Sequence, residues 1–157
     1  MAIALSIVAI VRTSGIEEGE GEQGANNVSV PQAYTALQIG LRDVLDYEIS
    51  DMYIDSGWHP DFRGEFEDEA AAAELRDMIS KAVFWEKPAP STNKNPGDGS
   101  FPSIYFTANE KRYGVSLLSD GLGISVSGNI SYYYTNCTYQ FSNLVHGLLN
   151  ELFEDYE

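Results

Sequence analysis

Residues 103–135 alternate between apolar and small or polar side chains, and this pattern constrains the fold more than any other part of the chain. Polar or glycine-containing breaks interrupt the alternation at Asn109-Glu110, Ser119-Asp120-Gly121 and Gly128-Asn129. A period of two is typical of strands with one buried face, and such short breaks are typical of hairpin turns. The segment therefore predicts a four-stranded antiparallel meander. Its strands are expected over 103–108, 113–117, 122–126 and 130–135.

Three other segments repeat apolar residues every three or four positions, which predicts helices with one apolar face. They are expected over 31–47, from about 65 to before Pro88, and over 139–154. Ser29 and Gln32 have the spacing of a capping box at the start of the first helix, and acids crowd the start of the second. The apolar stripes are Tyr34, Leu37, Leu41, Val44 and Leu45; Leu75, Met78, Ile79, Ala82 and Val83; and Phe141, Leu144, Val145, Leu148, Leu149, Leu152 and Phe153.

The remaining segments complete a single domain over residues 1–157. The apolar, β-branched run over 2–13 predicts a strand covered on both faces, which we expect near the middle of the same sheet. An acidic flexible loop over 14–28, a short extended piece within 48–64 and a Pro/Gly-rich connector over 87–102 are expected between the elements. The predicted fold class is α+β: a two-layer sandwich of a mainly antiparallel sheet with about three helices on one face.

The charge is strongly acidic and unevenly distributed along the chain. The sequence has 9 Lys and Arg against 24 Asp and Glu, a formal net charge of −15. Residues 17–77 hold 16 of the acids and 3 of the basic residues, whereas residues 78–150 are almost neutral. Because unpaired carboxylates are rarely buried, we expect the first two helices and their flanking loops to form an acidic surface. Such a surface repels nucleic acid and anionic membranes, so neither is expected as a direct partner.

No motif in the sequence specifies an enzyme. The Walker A and Gly-x-Ser-x-Gly sequences are absent. Cys137 and His146 would have to meet as nucleophile and base, whereas a buried cysteine and a histidine beside an apolar stripe are the simpler interpretation. We therefore expect a non-enzymatic protein without catalytic residues.

Metal ligation is not expected either. Asp51, Asp55 and His59 stand four residues apart, which on a helix would align them for a metal ion. Gly57 and Pro60 interrupt any such helix, and the other acidic runs lack the ligand spacing of a calcium loop. We predict no metal and no cofactor.

Two groups of residues are candidates for a binding surface. One is the acidic face, and the other is a run of three tyrosines on the last strand of the meander. At least one of these tyrosines must face away from the others, and amphipathic aromatic side chains are favoured at interfaces. The candidates are Asp43, Asp46, Asp51, Asp55, Asp61, Glu65, Asp68 and Glu69 for the acidic face, and Tyr132, Tyr133 and Tyr134 for the aromatic interface.

An acidic face with aromatic anchors favours a protein that neutralises a basic partner protein, either a toxin or a nucleic-acid-acting enzyme. In acidity and architecture the chain resembles small bacterial immunity proteins and phage-encoded inhibitors of defence nucleases, although it shares no motif with them. The resemblance implies an inhibitor that occupies a cationic cleft as a nucleic-acid mimic. Two alternatives remain open: a small-ligand-binding or enzymatic α+β domain with a tyrosine-lined pocket, and an acidic structural or assembly protein.

The expected compartment is the cytoplasm. The single cysteine cannot form an internal disulfide, and the apolar start of the chain is not preceded by the basic residues of a signal peptide.

Overall fold

The computed structural model describes residues 30–90 and 101–156. The predicted strand over 2–13, the acidic loop over 14–28 and most of the connector over 87–102 lie outside the described residues. Those described contain, in chain order, β1 (Ala33–Thr35), α1 (Arg42–Asp46), β2 (Ser50–Asp55), β3 (Arg63–Phe66), α2 (Glu69–Lys81), β4 (Val83–Glu86), β5 (Ser103–Ala108), β6 (Lys111–Leu117), β7 (Leu122–Val126), β8 (Asn129–Thr135) and α3 (Thr138–Leu152).

The eight strands form one antiparallel sheet in the order β1-β4-β8-β7-β6-β5-β2-β3. Ile54, Ile104, Val115 and Ile124 lie side by side across four adjacent strands, and all four are buried. Buried residues of α2 and α3 belong to the same core as this row. The predicted α+β sandwich, with helices on one face of a mainly antiparallel sheet, is confirmed.

The meander is confirmed with one small correction at a turn. Asn109 and Glu110 join β5 to β6 with φ angles of 49° and 62°, the left-handed backbone that a tight two-residue hairpin turn requires. The last hairpin turns at Ser127-Gly128 rather than at the predicted Gly128-Asn129, because Val126 pairs directly with Asn129. The predicted third helix is confirmed as α3.

The prediction of a helix over 31–47 is wrong for most of its length. Residues Ala33–Thr35 form β1, which pairs with β4, and the chain then turns through Gly40 at φ 87°. Only α1 is helical, and Leu37 is 50% exposed instead of lying on a buried stripe. Pairing with β4 outweighs the helical spacing of the side chains, because it satisfies the backbone hydrogen bonds of β1 at the edge of the described sheet.

The second predicted helix is confirmed as α2, but it begins later and ends earlier than expected, since Glu65 and Phe66 belong to β3. Its first turn is capped by Asp68, whose Oδ1 accepts a hydrogen bond from the Ala71 N–H at 3.0 Å. The helix ends at Lys81. The predicted apolar stripe includes Val83, but this residue begins β4, which lies between β1 and β8. The sequence of β4 contains one β-branched and two aromatic residues, which favour a strand. The helix prediction did not take this preference into account.

The ambiguous segment over 48–64 contains β2 and the start of β3. These two strands form a hairpin at one edge of the described sheet, with Met52 opposite Phe66 and Asp55 opposite Arg63. The expectation of an extended piece is therefore confirmed. We call residues 50–66 the edge hairpin.

An ion pair fastens α1 to the meander. The Lys111 ammonium donates to Oδ2 of Asp43 at 2.7 Å, and the Tyr113 hydroxyl donates to the same oxygen at 3.3 Å. The Asp43 side chain is only 14% exposed. Its hydrogen bond from Lys111 lowers the pKa of the carboxyl, and the carboxylate in turn raises the pKa of Lys111.

We expect Asp43→Asn to lower the thermal unfolding midpoint at neutral pH and to have little effect in acid. A carboxyl with a lowered folded-state pKa stabilises the fold above its unfolded pKa, near 4, and this contribution disappears as the pH falls through the folded value. Unfolding followed by circular dichroism from pH 7 to 3 measures the difference between wild type and variant. A difference that does not shrink below pH 4 would contradict a role for the ionised carboxyl.

We expect Gly57→Ala to destabilise the protein more than Gly128→Ala. Both glycines have left-handed φ angles, 82° and 87°, so an alanine at either site carries a similar backbone cost of about 1 kcal/mol. Only at Gly57 would the new Cβ also lie 2.3 Å from a backbone atom of Phe101, whereas at Gly128 it would meet nothing within 4 Å. Equal urea midpoints for the two variants would show that the edge hairpin is not packed against Phe101.

Candidate functional site

Two adjoining cavities open beside the edge hairpin, at the end where β2 begins and β3 finishes. One has a volume of about 440 Å³ and lies against the first turns of α2, and the other has a volume of about 400 Å³ and reaches Tyr53 and Arg112. They share Asp51, Met52, Phe66 and Glu67. We call the combined space the acidic groove. Its carboxylates belong to Glu48, Asp51, Glu65, Glu67, Asp68 and Glu69.

A bulge in β2 places Asp51 at the junction of the two cavities. The register between β2 and β5 shifts between Ser50 and Tyr53, and Asp51 has a φ of 49°. A bulge of this kind changes the direction of a side chain relative to the regular alternation. The Arg112 guanidinium fixes the bulge by donating to the Asp51 carbonyl oxygen at 2.8 Å.

The start of α2 supplies two more acids of the groove. Asp68 holds its carboxylate at the N-cap position, and Glu69 lies in the first turn. Unpaired backbone N–H groups give this end of a helix a partial positive charge, which stabilises nearby carboxylates. The helix therefore lowers the cost of placing acids close together here.

The two arginines that line the groove are held by backbone carbonyls. The Arg76 Nε donates to the Val44 oxygen at 3.1 Å and its Nη2 donates to the Tyr47 oxygen, at the end of α1. Within residues 30–90 and 101–156, no ion pair joins a groove carboxylate to a lysine or arginine. The six carboxylates and two guanidinium groups leave a formal charge of −4.

This arrangement is suited to binding cationic side chains. A concave surface with a net negative charge focuses the electrostatic potential, because its protein walls are less polarisable than water. A cavity of about 440 Å³ lies within the size range of small-ligand sites, so it admits a lysine or arginine side chain. The lining also includes Ser50, whose hydroxyl donates to Oδ2 of Asp51 at 3.1 Å.

The eight predicted acids fall into three places rather than one face. Asp51, Glu65, Asp68 and Glu69 line the acidic groove. The other four lie elsewhere: Asp43 and Asp46 on α1, and Asp55 and Asp61 towards the turn of the edge hairpin. Asp43 is further set apart by its ion pair with Lys111.

The sequence reasoning missed Glu48 and Glu67 as members of the groove. Both acids lie close to predicted residues along the chain. The hairpin register sets Met52 opposite Phe66, which brings Glu48, before β2, and Glu67, after β3, to the same end of the hairpin. The signal was present in the run of acids over 65–69. Because a helix is predicted across that run, the sequence does not indicate that these acids line a groove.

The three tyrosines of β8 alternate between the two faces of the sheet. Tyr133 faces the core and contacts Phe84 edge to face, with 5.6 Å between ring centroids. Its neighbour Tyr134 is exposed on the opposite face, where the Lys87 ammonium lies 5.0 Å from the ring centroid. Three strands separate β8 from β2 in the sheet, so this aromatic surface and the acidic groove are at different ends of the molecule.

Cys137 and His146 are engaged separately. Cys137 is buried beside the Thr135 hydroxyl, and burial raises the pKa of its thiol, which disfavours the nucleophilic thiolate. His146 Nδ1 lies 2.7 Å from the Tyr156 hydroxyl. The arrangement gives no support to a nucleophile and base pair.

In the part of the chain that the structure describes, no group of three or more histidine, cysteine or acidic side chains is placed to hold a metal ion. No helix among those residues is long and apolar enough to cross a membrane.

Comparison with family models, with characterised proteins and with solved structures finds no significant match to this chain.

Proposed function

We propose that the protein is a non-enzymatic binding protein that captures a basic partner protein through the acidic groove. A toxin or a nucleic-acid-acting enzyme with a cationic cleft has the required chemistry. The observation that carries the proposal is the set of six carboxylates around two adjoining cavities, none of which forms an ion pair with a lysine or arginine among the described residues.

The energetic argument is that no groove carboxylate is committed to an ion pair among the described residues. An acid already paired within its own chain, such as Asp43 with Lys111, must exchange one partner for another on binding. An unpaired acid in a groove loses hydration when a partner approaches and gains a charge-assisted hydrogen bond in return. The groove acids are therefore better placed than Asp43 to contribute to association.

The electrostatics also favour fast encounter with a basic partner. A net charge of −15 produces a long-range attraction for cationic surfaces, which raises the association rate at low salt. Salt screens this attraction over a distance of about 8 Å at physiological ionic strength. Binding through the groove is accordingly expected to weaken as salt is added.

The proposal is tested with octa-arginine as a cationic probe and with a pair of matched variants. We expect Glu65→Lys/Glu67→Lys to weaken binding at least tenfold at low salt, because it reverses two charges of the groove. Glu74→Lys/Glu86→Lys is the control: it changes the net charge by the same amount on exposed acids of α2 and β4 that lie outside the groove. Isothermal titration calorimetry at several salt concentrations gives the affinities.

The control variant should lose less than threefold in affinity. Equal losses in the two variants would mean that overall charge, not the groove, governs binding, and the proposal would be wrong. The same three proteins can then be used as baits at low salt in a lysate of the source organism. The protein recovered by wild type and lost with the groove variant should be basic.

A further inference from the structure

A second feature of the edge hairpin is an aromatic cluster at its turn. Trp58 lies in the turn between β2 and β3, where its ring contacts Phe62 at 5.6 Å and Tyr156 at 6.0 Å between centroids. Phe62 also contacts Phe153 at 5.8 Å and Tyr156 at 5.4 Å. The hairpin turn and the residues that follow α3 therefore form one cluster, which we call the aromatic tip.

Hydrogen bonds within the turn hold its backbone in place. Ser56 is fully buried, and its hydroxyl group is hydrogen-bonded to both backbone polar groups of His59 at 3.2 Å. Asp55 Oδ1 accepts from the Gly57 N–H at 2.8 Å, and the Ser56 N–H donates to the Phe62 oxygen at 2.9 Å. This network holds the backbone on both sides of Trp58 within the folded domain.

The C-terminal side of the aromatic tip is also fixed. Tyr156 is buried, its hydroxyl lies 2.7 Å from Nδ1 of His146 on α3, and its N–H donates to the Phe153 oxygen. The rings of His146 and Tyr156 stack with their centroids 6.0 Å apart. The platform beneath Trp58 is therefore part of the folded domain.

Trp58 itself remains 57% exposed, although its neighbours are packed. An exposed tryptophan on a rigid turn is typical of the anchors of protein interfaces, since it buries a large area with little loss of conformational freedom. Its exposed surface is not needed for the core, which lies on the inner face of the sheet.

Three exposed acids lie close in sequence to the residues of the aromatic tip. Asp61, in the same turn, has a side chain that is 82% exposed, and Glu154 and Asp155 are exposed beside Tyr156. Arg63 lies opposite Asp55 at the start of β3. An electron-rich indole face with carboxylates nearby is complementary to a guanidinium or ammonium group, which stacks on the ring and donates to the acids.

The aromatic tip and the acidic groove occupy the two ends of the same hairpin. Asp51 lines the groove and Trp58 follows seven residues later, a separation of at most about 23 Å at about 3.3 Å per extended residue. Between them runs β3, which ends the described sheet and pairs there only with β2. One extended basic segment of about seven residues is long enough to contact both ends.

We propose that Trp58 is a second contact point for the same basic partner, where it stacks against an arginine or lysine side chain while the acidic groove holds another. This inference rests on the proposed function, since it assumes a cationic partner. It adds to the proposed function the position of the apolar anchor, Trp58, and the direction of the bound segment of the partner, along β3.

The test uses the fluorescence of Trp58 in a Trp85→Phe background, which leaves Trp58 as the one tryptophan of the chain. Titration with octa-arginine should change the emission of Trp58 and saturate at the concentration found by calorimetry. Trp58→Ala in the otherwise wild-type chain should weaken octa-arginine binding by about three- to tenfold, the range of a partly desolvated cation–π contact. Trp58→Leu, which keeps apolar volume without the indole face, should weaken it similarly.

Tyr139→Ala is the matched control, because Tyr139 is an aromatic residue on α3 that is 77% exposed. It should bind octa-arginine as wild type does, and circular dichroism should show the same unfolding midpoint for wild type and Trp58→Leu. Unchanged affinity in both Trp58 variants, with binding still lost in the groove variant, would overturn this inference and leave the proposed function standing. Failure of the groove variant to weaken binding would overturn both.

Discussion

The structure depends on the burial of one face of an eight-stranded antiparallel sheet beneath α2 and α3. Ile54, Ile104, Val115 and Ile124 form a continuous buried row, and Phe141 and Leu149 of α3 are buried in the same core. Because side chains alternate along each strand, burial of this row directs the intervening residues to the other face. Polar and charged groups therefore collect on that face, at the strand ends and at the sheet edge.

The edge hairpin is where this constraint produces a surface with its own chemistry. β3 pairs on one side only within the described sheet, and α2 begins shortly after it, so the acids Glu65, Glu67, Asp68 and Glu69 line the groove while Phe66 enters the core. The bulge at Asp51 adds another carboxylate at the same end. At the opposite end Trp58 is exposed on a turn in which the buried Ser56 hydroxyl is hydrogen-bonded to the His59 backbone. Charge and an apolar anchor thus lie on one hairpin.

The alternation over 103–135 and the apolar stripe of α3 were enough to predict the fold class, because both patterns are long and each specifies one period. The short elements were not predictable in the same way. β1 and β4 have only a few residues each, and their identity is decided by pairing with each other and with β8 rather than by local propensity. A helical spacing from Tyr34 to Leu45 was therefore misleading.

The acidity of the site was predictable, but its grouping was not. The regional charge identified four groove acids by number, including Asp51 and Glu65, since unpaired carboxylates must remain near water. Which acids converge depends on the register of the edge hairpin, which the sequence does not specify. The aromatic tip was missed because it joins residues 58–62 to 153–156, a contact between distant parts of the chain that no local pattern reveals.

The central claim is that a basic partner lies along the edge hairpin, from the acidic groove to the aromatic tip. Amide hydrogen exchange, measured for the free protein and for the protein saturated with octa-arginine, tests it most directly. We predict slower exchange over residues 48–69 and 151–156 and unchanged exchange in β4 and β8. Protection centred on β8, or spread evenly over all acidic segments, would contradict the account.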